Sequence, residues 1–478
     1  MERLKKIGKI KTKSSIDIIS SRIGIGFEKL DRNVFDPQKA YDPVGELGIK
    51  WVRLQSGWQR TERKRGEYDF KWLDEVVDNL IQRGLKPWLC LCYGNDLYTE
   101  AAKNIFGAVG CPPIHTEEEK YAWKNYVTAT VKHYKGRIDH YEVWNEPDGT
   151  WCWKHGVDAT ELGEFTLATA KYVKEADCNA KVIGGVTCKF ETKYLNEAFQ
   201  TGMGTYLDAI SYHEYTSDET EVLNKVRAYR ALAHKYNPNI EIIQGESGSQ
   251  SRRGGNGALH WMAWTPERQA KQLARHTMVD LISGVKFTSY FSTMDMIEAL
   301  NGLNSDKSSY QDYGYFGVLS ADFDENGFAI GSYSKKLSYY VLQNIASLFS
   351  DDITNVDLPL LVMPSGFDNK IYEMSVSEFE MLSGGFEKNG CYAYAYWKPT
   401  NIMTTSFMGS VSIEASCMRE DVYLLDVMDG AVYEFSEDIK TVSDDGTVIL
   451  KNLPVKDTPL VLIFGKDFFD IEEKENII

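Results

Sequence analysis

Positive charge is scarce in this sequence. Its 478 residues include 53 Lys and Arg against 69 Asp and Glu, so the formal net charge is −16. A surface that binds nucleic acid or an anionic membrane needs clustered cations to neutralise phosphates. We therefore expect neither of these partners, and a small neutral ligand fits better.

Long apolar runs are also missing. The stretch MERLKKIGKIKTKSS, residues 1–15, is basic, but no apolar segment of the kind found in signal peptides follows it. No run approaches the ~18 apolar residues that a membrane helix needs. We expect a cytoplasmic location.

Cysteine is present without the spacing of a disulfide framework or a zinc site. The eight cysteines are scattered through the chain at Cys90, Cys92, Cys111, Cys152, Cys178, Cys188, Cys391 and Cys417. Cys90 and Cys92 share one face of a predicted strand, but no nearby His or Cys pair completes a tetrahedral set. We predict free, buried thiols in a reducing compartment, and neither a metal nor a cofactor.

What the sequence does contain is a repeated pattern of strands and helices. Short apolar strands are predicted at 22–27, 51–56, 86–93, 140–146, 181–187, 207–215, 240–246 and 286–292. Amphipathic helical stretches such as 70–84 and 117–134 lie between them. Eight strands that alternate with helices predict an α/β fold of the (β/α)₈, or TIM barrel, type.

A second domain follows the predicted barrel. After a helical stretch at 334–349, strands such as CYAYAYW (391–397) are separated by turn signals and not by helices. We predict a catalytic barrel over residues 1–349 and an antiparallel β-sandwich over residues 350–478. Residues 1–20 are a candidate extra strand of the sandwich.

Two of the predicted barrel strands end in a glutamate. Strand residues in a barrel alternate between the interior and the helix layer, and catalytic groups sit where strands end. Within HYEVWNEPDG, Glu146 has the parity of Trp144, and Glu246 ends the seventh strand with the parity of Gln244. Pro147 should hold Glu146 in extended geometry and end the strand there. Both carboxylates are predicted to point to the axis and to converge at the mouth.

A pair of carboxylates is suited to cleaving a glycosidic bond. One carboxylic acid protonates the leaving oxygen, while the second carboxylate attacks the anomeric carbon or activates water. Burial and the proximity of two like charges raise one pKa, and a cationic or hydrogen-bonding neighbour keeps the other low.

The motif EVWNEP, with a second glutamate 100 residues further on, resembles the retaining glycoside hydrolases of clan A. The context YEVWNEPDGTWCW and the accompanying sandwich look most like family 39, the β-xylosidase-like group. The resemblance implies that Glu146 is the general acid/base and that Glu246 is the nucleophile. It also implies that Asn145 hydrogen-bonds the sugar 2-hydroxyl.

Three further residues fit the pattern of the clan. Arg53 on the second strand has the parity to reach Glu246, where a permanent cation would keep a carboxylate ionised. His213 and Tyr215 lie two residues apart on the sixth strand. Tyr215 is a candidate hydrogen-bond donor to the nucleophile, and His213 a candidate to line the subsite or to orient a partner.

Loop residues supply the candidates for substrate binding. Indole faces are good platforms for sugar rings, and four tryptophans follow the two glutamates: Trp151, Trp153, Trp261 and Trp264. Arg252 and Arg253 could bind a carboxylate of a uronic acid. The same loop is also a candidate lid or subunit contact.

Several alternatives stay open. A non-catalytic carbohydrate-binding protein on a barrel scaffold and an endo-acting glucanase or mannanase are the competing functions. Long aromatic loops favour an exo-acting pocket for small glycosides or oligosaccharides. Retention is expected if the carboxyl groups lie roughly 5–5.5 Å apart. The sequence leaves open which sugar is cleaved, among xylose, arabinose, galactose, glucose and glucuronic acid, and it is compatible with a homo-oligomer.

Overall fold

A computed structural model of the protein describes residues 4–365 and 380–473. The first strand, β1 (Leu4–Ile10), lies outside the barrel. Eight parallel strands then close into a barrel in chain order. They are β2 (Ile23–Gly26), β3 (Trp51–Gln55), β4 (Lys86–Leu91), β5 (His140–Val143), β6 (Lys181–Thr187), β7 (Ala209–His213), β8 (Glu241–Ser247) and β9 (Thr288–Tyr290). Each overlaps one predicted strand, so the barrel prediction is confirmed.

Helices occupy the connections between the barrel strands. The α-helices of the described chain are α1 (Tyr41–Gly45), α2 (Trp58–Thr61), α3 (Lys71–Gln82), α4 (Glu117–Tyr134), α5 (Ala159–Ala176), α6 (Thr192–Gln200), α7 (Val222–Tyr236), α8 (Pro266–Ser283) and α9 (Leu337–Leu348). Helix α4 begins with a capping box, in which the Thr116 and Glu119 side chains each accept a backbone N–H of the other residue. None of the described helices has the length and hydrophobicity that crossing a bilayer requires.

Apolar side chains fill the lower end of the barrel interior. They come from five strands and the residue before β9, namely Trp51, Trp88, Ile183, Ala209, Ile243 and Phe287. Trp51 stacks on Phe287 with ring centroids 4.3 Å apart. Burying each of the larger side chains stabilises the fold by about 1.5–3 kcal/mol. This floor closes the barrel, so polar side chains higher on the strands face only the mouth.

Two short antiparallel hairpins follow the last barrel strand. β10 (Met296–Ile297) pairs with β11 (Tyr313–Gly314), and β12 (Leu319–Phe323) pairs with β13 (Ala329–Lys335). The first hairpin brings Glu298 to the mouth of the barrel, where it lines the same cavity as Glu246.

The remaining strands form two antiparallel sheets. They are β14 (Thr354–Val356), β15 (Leu360–Ser365), β16 (Leu382–Lys388), β17 (Cys391–Trp397), β18 (Met408–Ala415), β19 (Val422–Asp426), β20 (Ala431–Phe435), β21 (Lys440–Val442), β22 (Val448–Lys456), β23 (Leu460–Phe464) and β24 (Ile471–Glu473). The sheet orders are β14-β16-β17-β23-β19-β20-β1-β24 and β15-β18-β22-β21. The predicted sandwich is therefore confirmed, and β1 pairs within its larger sheet, between β20 and β24.

The cysteines are all free thiols, as their spacing predicts. Five of them are buried, but Cys178 and Cys417 are exposed and Cys188 is half-buried. The prediction of burial is wrong for these three because they lie in connections outside the packed layers.

Candidate active site

Glu146 and Glu246 meet at the C-terminal mouth of the barrel. One carboxylate oxygen of each, together with a ring nitrogen of His213, lie within 4.8 Å of one another. Both glutamates line the same cavity. The predicted convergence of the two side chains is therefore what the fold produces, although the backbone that achieves it differs from the prediction at both positions.

The chain around Glu146 is not extended. Strand β5 ends at Val143, and both Trp144 (φ 67°) and Glu146 (φ 45°) have left-handed backbone conformations. The Trp144 ring turns to the helix layer, with its centroid 5.7 Å from that of Phe165 on α5. Extended geometry at Glu146 and an axial Trp144 were wrong predictions. Such conformations cost about 1–3 kcal/mol each and recur at functional sites, where surrounding contacts hold them in place.

A β-bulge aims Glu246 at the mouth. Tyr212 pairs with Gln244 but His213 pairs with Glu246, so β8 contains one extra residue, Gly245. The Gln244 amide oxygen accepts a hydrogen bond from the Thr288 hydroxyl (3.2 Å). The same hydroxyl oxygen lies 2.6 Å from Asp280 Oδ2 on α8, which places the Gln244 side chain on the helix side. The shared parity of the two residues was therefore a wrong prediction, and β8 continues to Ser247.

Only glycine fits at the bulge. A Cβ at Gly245 would lie 2.2 Å from the Ser211 hydroxyl oxygen and 3.2 Å from His213 Nε2. Since real Cβ atoms do not approach other atoms that closely, a larger residue would require either the Ser211 side chain or the backbone that carries Glu246 to move.

Two donors hold the carboxylate of Glu246. Arg53 Nη1 donates to Oε2 at 2.6 Å, and the Tyr215 hydroxyl donates to Oε1 at 2.5 Å. The Arg53 side chain is fully buried. These two bonds fix the orientation of the carboxylate, which an attacking nucleophile requires.

Glu146 has a different environment. Burial raises the pKa of its carboxyl, and a hydrogen bond from Trp151 Nε1 to Oε2 (2.6 Å) opposes that shift. His213 Nδ1 lies 2.9 Å from the other oxygen, and burial lowers the pKa of His213 to about 4, so the imidazole is neutral at neutral pH. The environments separate the two glutamates into a candidate acid and a candidate nucleophile.

Arg53 also binds residues that the sequence interpretation missed. Its guanidinium donates to Glu142 Oε1 (2.9 Å from Nε) and to Glu28 Oε1 (3.0 Å from Nη1), both buried. Burial and the charge of Glu246 raise the pKa of Glu28 to about 8. The sequence could have indicated both glutamates as residues of the barrel interior, since Glu28 follows β2 and Glu142 has interior parity on β5.

Asn145 is fixed from two sides. Its amide oxygen accepts from Arg53 Nη2 at 2.8 Å, and its Nδ2 donates to Cys152 Sγ at 3.4 Å. These bonds define which end of the amide is the donor. The role of Asn145 at a sugar 2-hydroxyl stays a prediction.

The cavity at the mouth has a volume of about 370 Å³. Phe291, Leu300 and Phe316 form its apolar wall. Glu298 also lines it, with Oε2 3.4 Å from the buried ammonium of Lys29. Burial raises the pKa of Glu298, which the sequence interpretation did not single out. Cavities of about 300–1,000 Å³ are typical for small ligands.

The predicted tryptophan platforms separate into three groups. Trp151 lines the cavity. Trp153 and Trp264 are buried in the protein core, and their selection as platforms is corrected: Trp153 packs against Phe165, and Trp264 clusters with Leu259. Trp261 is 72% exposed and does not line the cavity.

Arg252 does not reach the cavity either. Its guanidinium lies over the ring of Tyr315, 4.5 Å from the centroid, and the residue is exposed. Arg253 is exposed as well. Neither contributes to the cavity, so the proposed uronic acid contact is corrected.

Within residues 4–365 and 380–473, one group of side chains is close enough together to chelate a metal ion: Glu146, His213 and Glu246. Their oxygens already accept hydrogen bonds from Trp151, Arg53 and Tyr215. A metal would face the charge of Arg53 and compete for these lone pairs, so the donor set fits a hydrogen-bonded carboxylate pair better.

Comparison with known proteins finds similarity to one family of glycoside hydrolases. Residues 38–244 match the sequence model described as "Glycosyl hydrolases family 39". A β-xylosidase of Caldicellulosiruptor saccharolyticus is 25% identical over 191 residues, which cover 36% of this chain and 38% of the relative. The matched segment thus spans less than two fifths of that relative's length.

Solved structures share the fold across nearly the whole chain. A family 39 glycoside hydrolase from Bacteroides cellulosilyticus WH2 has a TM-score of 0.65 at 16% identity, covering 93% of this chain and 81% of its own. A monomeric β-xylosidase from Caulobacter crescentus CB15 has a TM-score of 0.58 at 15% identity, covering 95% and 97%. This chain is therefore similar to glycoside hydrolase family 39 in sequence over residues 38–244 and in overall fold, as the EVWNEP motif predicts.

Proposed function

We propose that the protein is a retaining glycoside hydrolase in which Glu146 is the general acid/base and Glu246 is the nucleophile. The observation that carries the proposal is the carboxylate pair on one cavity, with oxygens within 4.8 Å of each other. Retaining enzymes hold their carboxyl groups about 5–5.5 Å apart, and inverting enzymes about 6.5–9.5 Å, to leave room for a water. The short separation therefore supports retention.

In the first step, Glu246 attacks the anomeric carbon of the bound sugar. A bond forms between its oxygen and that carbon while the bond to the glycosidic oxygen breaks, and Glu146 gives its proton to the leaving oxygen. Arg53 and Tyr215 hold the attacking carboxylate in place through their bonds to its two oxygens. Such fixed donors preserve the orientation that the attack requires.

In the second step, the ionised Glu146 takes a proton from water. The water oxygen attacks the anomeric carbon, the ester to Glu246 breaks, and the sugar leaves with its original configuration. We assign Asn145, whose amide is oriented by Arg53 and Cys152, to the sugar 2-hydroxyl. A hydrogen bond there strengthens as the oxocarbenium-like transition state develops.

We further propose that the enzyme is exo-acting on small glycosides or oligosaccharides. A cavity of about 370 Å³ is near the lower end of the range for small-ligand sites. That size suits one terminal sugar better than a polysaccharide crossing an open cleft. The similarity to a β-xylosidase makes β-xylosides the first substrates to test. The cytoplasmic location and a homo-oligomeric state stay predictions.

The test is covalent trapping with activated 2-deoxy-2-fluoro glycosides of xylose, arabinose, galactose, glucose and glucuronic acid. We expect one sugar to give a mass adduct that maps to the peptide containing Glu246, and Glu246→Gln to give none. NMR of the first-formed sugar should show retained configuration. An inverted sugar, or an adduct on another residue of folded protein, would overturn the proposed mechanism, and failure of every glycoside would favour the carbohydrate-binding alternative.

A further inference from the structure

The cavity has an uneven distribution of charge. Three glutamates line it, Glu146, Glu246 and Glu298, and within the described chain one cation lines it, Lys189. Lys29 lies behind Glu298 with its ammonium 3.4 Å from that carboxylate, so its charge is already matched. The ammonium of Lys189 has no hydrogen-bond or ion-pair partner among the described residues.

The backbone of Lys189 is held firmly. Asp148 accepts hydrogen bonds from the backbone N–H groups of Cys188 (2.8 Å) and Lys189 (2.9 Å). The Tyr229 hydroxyl donates to the Lys189 carbonyl at 2.7 Å. The side chain thus projects from a fixed point on the connection between β6 and α6.

This fixed point lies beside the candidate acid. Asp148 is two residues after Glu146, and the Glu146 N–H donates to the Val186 carbonyl of β6 at 3.1 Å. Because the acid must reach the glycosidic oxygen, the leaving group lies on the Glu146 side of the cavity. Lys189 is therefore on the leaving-group side.

The sugar side has the opposite charge. Glu298 lies next to the loop after β8, since a Cβ at Gly257 would be 3.0 Å from its carboxyl carbon. One of its oxygens is buried without a hydrogen-bond partner, and it shares the cavity with Glu246. Hydroxyl groups of a neutral sugar can donate to the Glu298 carboxylate where it lines the cavity, whereas the carboxylate of a uronic acid beside it would be repelled.

We propose that Lys189 selects an anionic leaving group, so that the substrates are glycosides in which a neutral terminal sugar is linked to an acidic unit. A uronic acid residue or a phenolic acid has this chemistry. The inference rests on the proposed glycoside hydrolase function and adds to it the class of aglycone.

The test compares two aryl glycosides of the sugar that traps Glu246, one with a carboxylate on the ring and one with the neutral carboxamide. The readout is the ratio of their kcat/KM values, in which the intrinsic difference between the leaving groups cancels when variants are compared. Lys189→Met should lower the ratio by about two- to fivefold. Lys189→Arg should keep it, and added salt should lower it in the wild type.

Lys193 provides the matched control, since it is four residues further on and its side chain is 90% exposed. Lys193→Met should leave the ratio and the activity unchanged. If the wild type cleaves both glycosides and Lys189→Met has the wild-type ratio, the inference about the leaving group is wrong while the proposed function stands. If the wild type cleaves neither and takes no fluoroglycoside label, the proposed function fails and the inference fails with it.

Discussion

The hydrogen bond from Trp151 to Glu146 should set the pH at which Glu146, the proposed general acid, loses its proton. Trp151→Phe keeps an aromatic ring but removes the Nε1–H that lies 2.6 Å from Glu146 Oε2. A hydrogen bond stabilises an ionised acceptor by about 1.5–3 kcal/mol and a neutral one by about 0.5–1.5 kcal/mol. The difference, about 1–1.5 kcal/mol, corresponds to about one pKa unit.

The direction of the pKa shift follows from which protonation form of Glu146 loses more stabilisation. Removing the donor destabilises the ionised carboxylate, so the pKa of Glu146, already raised by burial, should rise further. Because the first step needs the protonated acid, the alkaline limb of kcat/KM should move up by about one pH unit.

The assay is the pH profile of kcat/KM for an aryl glycoside with a poor leaving group, which depends most on the acid. Trp261→Phe is the control, since Trp261 is 72% exposed and does not line the cavity, and it should keep the wild-type limb. An alkaline limb of Trp151→Phe that stays in place or moves to lower pH would show that this bond does not tune the proton donor.

Three further predictions concern stability. Burial raises the pKa of Glu28 from 4.5 to about 8, so the stabilisation by its neutral form is fully present below about pH 4.5 and is lost as the pH rises to about 8. The melting temperature of Glu28→Gln relative to the wild type should therefore increase across this pH range. A difference that is the same at both ends of the range would contradict this. Arg53→Met removes the cation that pairs with the carboxylates of Glu142 and Glu246 and should lower the free energy of unfolding by about 3–5 kcal/mol in a urea titration. A loss below about 1 kcal/mol would mean that these carboxylates are neutralised in another way. Trp153→Ala should lower the free energy of unfolding by about 3–5 kcal/mol, and Trp261→Ala should lower it by no more than about 0.5 kcal/mol. The first side chain is fully buried and the second is 72% exposed. Similar losses for the two variants would refute the conclusion that only Trp153 packs in the core.

The barrel and its carboxylate pair could be predicted from the sequence because both depend on local order. Apolar strands alternating with amphipathic helices leave few folds that bury every apolar face. Parallel strands of a barrel end at one rim, so glutamates at the ends of the fourth and seventh strands must meet there. The location of Glu146 and Glu246 at the mouth therefore followed from their positions along the chain alone.

The direction in which the Glu146 and Glu246 side chains point was decided by tertiary structure. The bulge at Gly245 and the left-handed backbone of Trp144 and Glu146 reverse the parity that a regular strand would have. Neither feature can be recognised from the hydrophobic pattern of the sequence, because each is stabilised by contacts with neighbouring strands and helices. The position of Glu246 at the mouth was therefore predicted from an incorrect local geometry.

Loop residues were decided by tertiary structure in the same way. Trp151 and Trp153 are two positions apart, yet one lines the cavity and the other packs in the core. Glu298 and Lys189 reach the same cavity from segments more than 100 residues apart. Sequence alone determined which strands form the barrel and which carboxylates end them, since periodicity and strand order are local. Which loop side chains share a cavity is settled only when the barrel closes, because it depends on packing between segments distant in the chain.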